Sequence, residues 1–235
     1  MLKEKRLKKK QPSQKQRAPK NQRPKGKGGK GRSLEVYLIA GLGNPGSRYK
    51  NTRHNIGFKV INLWGKFLGV HFNGRRFQSR NARARLLGRE IILIRPVTFM
   101  NQSGKSIKAC VDFYHLKTEN ILVIHDDVDL QVGKIKVVRN GGAGGHKGVL
   151  SVIQHLGSRE FPRVKIGIGR PCFSESIEDY VLSSFYRDEK EIMEKVIEIG
   201  LRACELVISN GVESAMNVIN GKNFTHKEVS SLCRD

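Results

Sequence analysis

The sequence predicts an α/β fold, a single domain with a central mixed, largely parallel sheet flanked by helices. Apolar runs of strand length recur at Val36 to Ala40, Ile91 to Ile94, Ile121 to Ile124 and Val164 to Ile168. Segments with helical spacing of apolar residues lie between them. Strands that alternate with helices pair in parallel, because the helix carries the chain back over the sheet. No internal repeat competes with this reading.

Taken in order, residues 1–33 form a Lys/Gln/Pro/Gly segment with almost no apolar residue after Leu7. Such a stretch cannot bury enough surface to fold alone, so a disordered basic arm is expected there. An organelle transit peptide fits less well, since the segment is Lys-rich and lacks an amphipathic period. Residues 34–222 are expected to be the folded domain and 223–235 a C-terminal tail. The Val36 strand ends at Gly41. Ile56, Val60, Ile61, Trp64, Phe67 and Leu68 form a helical stripe closing near Gly69. The Ile91 strand ends at Pro96, and a helix follows from Ser103 to Tyr114. After the Ile121 strand, Lys134 to Val138 reads as a strand broken by Gly141 to Gly145. His146 to Leu156 reads as a helix, and Glu189 to Ser209 as a long amphipathic one with Gly211 after its end.

Charge narrows the partner. Residues 1–33 hold 14 Lys/Arg against the single acid Glu4, which makes +13 of the chain's +23 and leaves +10 for the rest. A basic arm on a basic domain points to a polyanion such as RNA, bound in a salt-dependent way. Cys110, Cys172, Cys204 and Cys233 show no zinc-ligand spacing and are expected to be reduced thiols. No run approaches the ~18 apolar residues of a membrane span, and no secretory signal core is present. A cytoplasmic, membrane-free monomer is the expectation.

The chemistry-bearing positions cluster at strand ends. Gly41-Leu42-Gly43-Asn44-Pro45-Gly46 resembles a dinucleotide loop. However, no acid lies about 20 residues on to hold a ribose, and Pro45 removes a backbone donor. A tight turn presenting Asn44 is the better reading. His54 lies in a stretch without Asp or Glu between Glu35 and Glu90. A histidine acting as general base needs an orienting carboxylate, and Asp126 in His125-Asp126-Asp127 can supply it from the end of another strand. The plain alternative is a surface or core histidine. Asn101 can hold a carbonyl or a water, or cap a helix. The acids at Asp126, Asp127 and Asp129 allow a metal reading, but imidazole orientation is favoured; no metal or cofactor is expected. Gly141 to Gly145 running into a helix offers backbone N–H groups for phosphate or carbonyl oxygens. Lys134, Lys136, Arg139, Arg163 and Lys165 make a candidate basic strip. If the strands are parallel, Asn44, Asn101 and Asp126 leave one sheet edge together.

In combination these segments resemble the bacterial-type peptidyl-tRNA hydrolase family. The resemblance runs through Gly41 to Gly46, Tyr49, Thr52-Arg53-His54-Asn55, Thr98 to Gly104, His125 to Leu130, Gly144-Gly145-His146 and Lys165 to Pro171, over about residues 36–220. It implies cleavage of the ester that joins a peptide to the 3′ ribose of tRNA. By that resemblance His54 activates water and Asp126 orients its ring. Asn44 reads the acylated amino end, and Asn101 places water and ester carbonyl. Tyr49, Phe99 and Met100 line the tRNA-end and peptide side, with Gly144, His146 and Lys147 on the substrate. Lys136, Arg163 and Lys165 contact tRNA. Lys147 departs from the family's usual Asn; a lysine ammonium only donates where an amide also accepts. The ribosome or another RNA is the expected partner of the arm. A non-catalytic RNA-binding protein of the same fold, like the organellar splicing factors, is the alternative, and the intact Asn44, His54, Asn101 and Asp126 weigh against it.

Overall fold

The structure, a computed structural model, describes residues 35–222; the expected arm (1–33) and tail (223–235) lie outside the described residues. Six strands form one sheet in the order β2-β3-β1-β4-β6-β5. They are β1 (Val36–Gly41), β2 (Ser79–Leu86), β3 (Arg89–Pro96), β4 (Ile121–Asp127), β5 (Ile135–Val138) and β6 (Arg163–Gly167). β1 pairs in parallel with β3 and β4, and β4 with β6. The two edge strands, β2 and β5, are antiparallel to their neighbours. The mixed, largely parallel sheet is thus a parallel centre with an antiparallel strand at each edge.

Both faces of the sheet are covered, which is why the central strands are apolar throughout rather than alternating. On one face α1 (Ile56–Phe67), α5 (Lys190–Asn210) and α6 (Val212–Ile219) enclose a core that includes Ile39, Leu93, Trp64 and Ile166. On the other, α2 (Ser103–Tyr114) and α3 (Lys147–Leu156) pack over Leu38, Ala40, Ile92 and Val123. A short helix, α4 (Ile177–Leu182), follows β6.

Two glycines set the position of the site. A Cβ on Gly41 would lie 2.4 Å from the Gly57 carbonyl oxygen, and one on Gly57 would lie 2.4 Å from that of Ile124. The start of α1 therefore rests directly on the ends of β1 and β4. The residues just before α1 are held against the strand end that carries Asp126.

Candidate active site

Asn44 and Asn101 follow the carboxyl ends of β1 and β3, and Asp126 lies at that of β4; the three strands run in parallel, so the residues share one edge of the sheet. They line a cleft of about 600 Å³ together with His54, Phe99 and Met100.

His54 sits in a 3₁₀ turn, Arg53–Asn55, ahead of α1. Its neighbour Arg53 fixes that turn. Arg53 is fully buried, with its guanidinium 2.6 Å from the Glu189 carboxylate and stacked on the rings of Tyr180, Phe185 and Tyr186 at 4.2, 4.9 and 4.6 Å. The Arg53 N–H also donates to the Ser183 carbonyl. The His54 Nδ1 lies 3.0 and 2.9 Å from the two Asp126 oxygens. Nδ1 accordingly carries the proton and donates it to the carboxylate, leaving the Nε2 lone pair available as a base.

Asp126 serves a second imidazole. The His146 Nε2 is 3.0 Å from Asp126 Oδ1, while the His146 Nδ1 accepts from the N–H groups of Gly148 and Val149 at the start of α3. Two donors aimed at Nδ1 keep its lone pair there, so the proton resides on Nε2 and points at Asp126. Burial by itself would raise the Asp126 carboxyl. Attraction to His54 and His146, and the N–H groups they aim at it, outweigh burial and hold it well below its usual 3.8. His125 is also buried here, donating from Nδ1 to the Asp126 carbonyl at 2.7 Å. Burial, with His146 adding to it, holds His125 well below its usual 6.5, so the ring stays neutral.

By residue type and spacing, His54, Asp126 and His146 would make a metal cluster, their ligand atoms lying within 4.8 Å of one another. The hydrogen bonds do not suit one. With the Nδ1 lone pair of His146 taken by α3, the ring turns only an N–H toward the cluster, and an N–H cannot ligate.

Asn44 is clamped by Asn55, whose amide accepts from the Asn44 N–H at 2.8 Å and donates to the Asn44 carbonyl at 2.9 Å. The Asn44 Oδ1 accepts from the Met100 N–H at 2.8 Å. That leaves the Nδ2 hydrogens as the free end of the side chain. Asn101 and Phe99 are exposed at the cleft, and Gly144 and Gly145 form part of its wall. α4 contributes an apolar side through Ile177, Val181 and Leu182. Lys147 also lines the cleft and pairs across it with Glu178 of α4.

Two expectations, those for Arg163 and for the start of α3, need correction. Arg163 does not present its charge to a partner. It is 1% exposed, and its guanidinium donates to the carbonyls of Gly142 (2.6 Å) and Gly141, fastening the glycine-rich loop. His146 lines the cleft with both ring nitrogens engaged, one by Asp126 and the other by the N–H groups at the start of α3. The start of α3 is not an open anion site, because the ring of His146 occupies the N–H groups of Gly148 and Val149. Tyr49 is half-buried beside the cleft-lining set, with the Arg48 guanidinium 4.4 Å over its ring. Lys136 and Lys165 do remain together, directly opposite on β5 and β6, with Lys165 paired to Asp127. Sequence reading missed Asn55, whose signal was its place beside His54, and Arg53 with Glu189, 136 positions apart, for which no local signal exists.

Comparison with known proteins agrees with this geometry. The family model described as "Peptidyl-tRNA hydrolase" matches residues 38–227. The chain belongs to the peptidyl-tRNA hydrolase family. A curated peptidyl-tRNA hydrolase of Clostridium botulinum is 44% identical over 186 residues, covering 79% of this chain and 97% of the relative. A crystal structure of peptidyl-tRNA hydrolase in complex with N-propanol superposes with a TM-score of 0.76 at 35% identity, covering 81% of this chain and 97% of that one. The enzyme from Acinetobacter baumannii gives 0.75 at 35% identity, covering 80% and 96%. Among the described residues no helix is long and apolar enough to cross a membrane.

Proposed function

We infer that this chain is a peptidyl-tRNA hydrolase, acting on the ester between a peptide and the terminal ribose of tRNA. The observation that carries the reading is the His54–Asp126 pair at 2.9 Å in a cleft shared with Asn44 and Asn101.

The His54 Nε2 removes a proton from water as the water oxygen attacks the ester carbon. The imidazolium formed is stabilised by Asp126, held ionised for that purpose. The Asn101 amide donates to the oxygen on which charge collects. As the carbon–oxygen bond to ribose breaks, the proton passes from His54 to the departing sugar oxygen. A positioned base contributes about 10²–10⁴-fold, and one good oxyanion donor about 10²–10³-fold.

Asn44 gives selectivity. Since its Oδ1 is held by Met100, it meets substrate as a donor, which suits the carbonyl of an acylated amine. A free aminoacyl ammonium would meet donor against donor. The cleft, about 600 Å³, takes the ester end alone, so the tRNA body rests outside it, where Lys136 and Lys165 face phosphate.

The test is release of N-acetyl-amino acid from acylated tRNA by wild type and His54→Ala. Loss of nearly all turnover with an unchanged melting temperature is the expected result; turnover equal to wild type overturns the assignment.

A further inference from the structure

Five arginines, 75, 76, 80, 83 and 85, fall within eleven residues around β2, in the stretch that holds no acid between Glu35 and Glu90. They lie outside the cleft. Arg76 is stacked on two rings at once, 4.3 Å from the Phe113 centroid and 5.0 Å from that of Phe77. Arg83 lies 5.2 Å over Tyr114. The three rings touch one another, Phe77 to Phe113 at 5.4 Å and Phe113 to Tyr114 at 4.9 Å. Phe113 is 50% exposed. Among the described residues Arg83 pairs with Glu90, while Arg75, Arg76, Arg80 and Arg85 have no carboxylate partner.

The backbone holds this arrangement under strain. Phe77 and Gln78 are consecutive non-glycine residues at φ +56° and +48°. A bulky residue in the left-handed region costs free energy, and persists where the surroundings hold it there. Protection of an exposed edge strand explains charge on β2. It does not explain Phe77 and Phe113, which lie off that strand and leave a half-exposed ring under a guanidinium plane.

We propose that Arg76, Phe77, Arg83, Phe113 and Tyr114 form a second RNA-binding surface, distinct from the cleft, which takes an unpaired RNA strand. Bases stack on the rings and guanidinium planes while neighbouring arginines neutralise phosphates, the pairing that sequence-tolerant single-strand sites use. An unpaired strand is favoured over a duplex because the π faces of a duplex are already stacked. The surface stands independently of the hydrolase reading.

The experiment measures binding of a fluorescent unpaired pyrimidine 12-mer RNA to the full chain across a salt series. A blunt RNA duplex of equal length serves as competitor. Phe113→Leu keeps charge and apolar bulk but removes the π face; Arg76→Lys keeps charge but removes the stacked plane. Phe113→Leu is expected to weaken strand binding at least about fivefold, the lower end for one stacked base, without altering its salt slope. Arg76→Lys should weaken it similarly, and Arg76→Ala should also reduce the slope by about one. Turnover of acylated tRNA should match wild type in all three. Wild-type strand affinity in Phe113→Leu, or a duplex that binds as tightly as the strand, overturns the proposal.

Discussion

At the scale of single residues, one carboxylate organises the site. Asp126 accepts from His54 and His146, and His146 can donate to it because α3 fixes its tautomer. Asp126→Asn keeps the shape but removes the charge that balances an imidazolium. Turnover at saturating substrate should fall about 10²–10⁴-fold with KM little changed, as single-turnover hydrolysis will show. The same cluster gives acid lability. His125 is held neutral in the fold, so below its usual 6.5 the unfolded chain binds a proton that the folded chain refuses, and stability falls as pH drops. Asp126 adds to this loss only below its usual 3.8, where the unfolded carboxyl protonates and the folded one does not. Denaturant unfolding of His125→Gln should therefore show a flatter decline than wild type between pH 6.5 and 4; parallel slopes would count against a neutral buried ring. The pairing of His54 with Asp126 was legible, because each residue type has few chemical reasons to stand where it does. The part played by His146 was not, since it depends on the glycine loop returning the chain onto Asp126 and on which helix N–H groups its ring meets.

At the scale of elements, legibility followed apolar content. β1, β3, β4, α1 and α2 announced themselves because both sheet faces are covered and each helix buries one stripe. β2 did not. Its sequence SRNARARL places alanines on the core side and arginines elsewhere, so an edge strand reads as a basic loop. α4 and α6 span 6 and 8 residues, too few for a helical period to show. Least visible was the tie between the turn that carries His54 and the C-terminal half, the buried pair Arg53–Glu189. Glu189 also accepts from the Tyr186 N–H at 2.7 Å, so it closes the loop ahead of α5. Glu189→Gln leaves a fully buried guanidinium without its counter-charge, and should cost about 3 kcal/mol. Denaturant midpoints report that loss. Because Arg53 adjoins His54, the variant should lose turnover at temperatures below its melting point; wild-type activity up to that point would mean the turn keeps its place without the pair.

At the scale of the whole molecule, charge is divided between two regions. Residues 34–235 carry +10, and the family match covers 38–227, so the +13 of residues 1–33 lies ahead of the part that relatives share. The Clostridium botulinum relative is covered over 97% of its length by a match of 186 residues. Every cleft-lining residue belongs to the shared domain, and we propose that the added charge bears on encounter with RNA. Each phosphate neutralised lowers the logarithm of affinity by about 0.7–0.9 per decade of salt. With 14 cationic side chains available, the arm can supply several such contacts. Deleting residues 1–33 should flatten the salt dependence of tRNA binding by several units of slope and raise KM at physiological salt. Turnover at saturating acylated tRNA should stay at the full-length value, since no cleft residue is removed. A slope unchanged by the deletion would assign substrate attraction to the domain's own lysines and arginines and leave the arm to another partner.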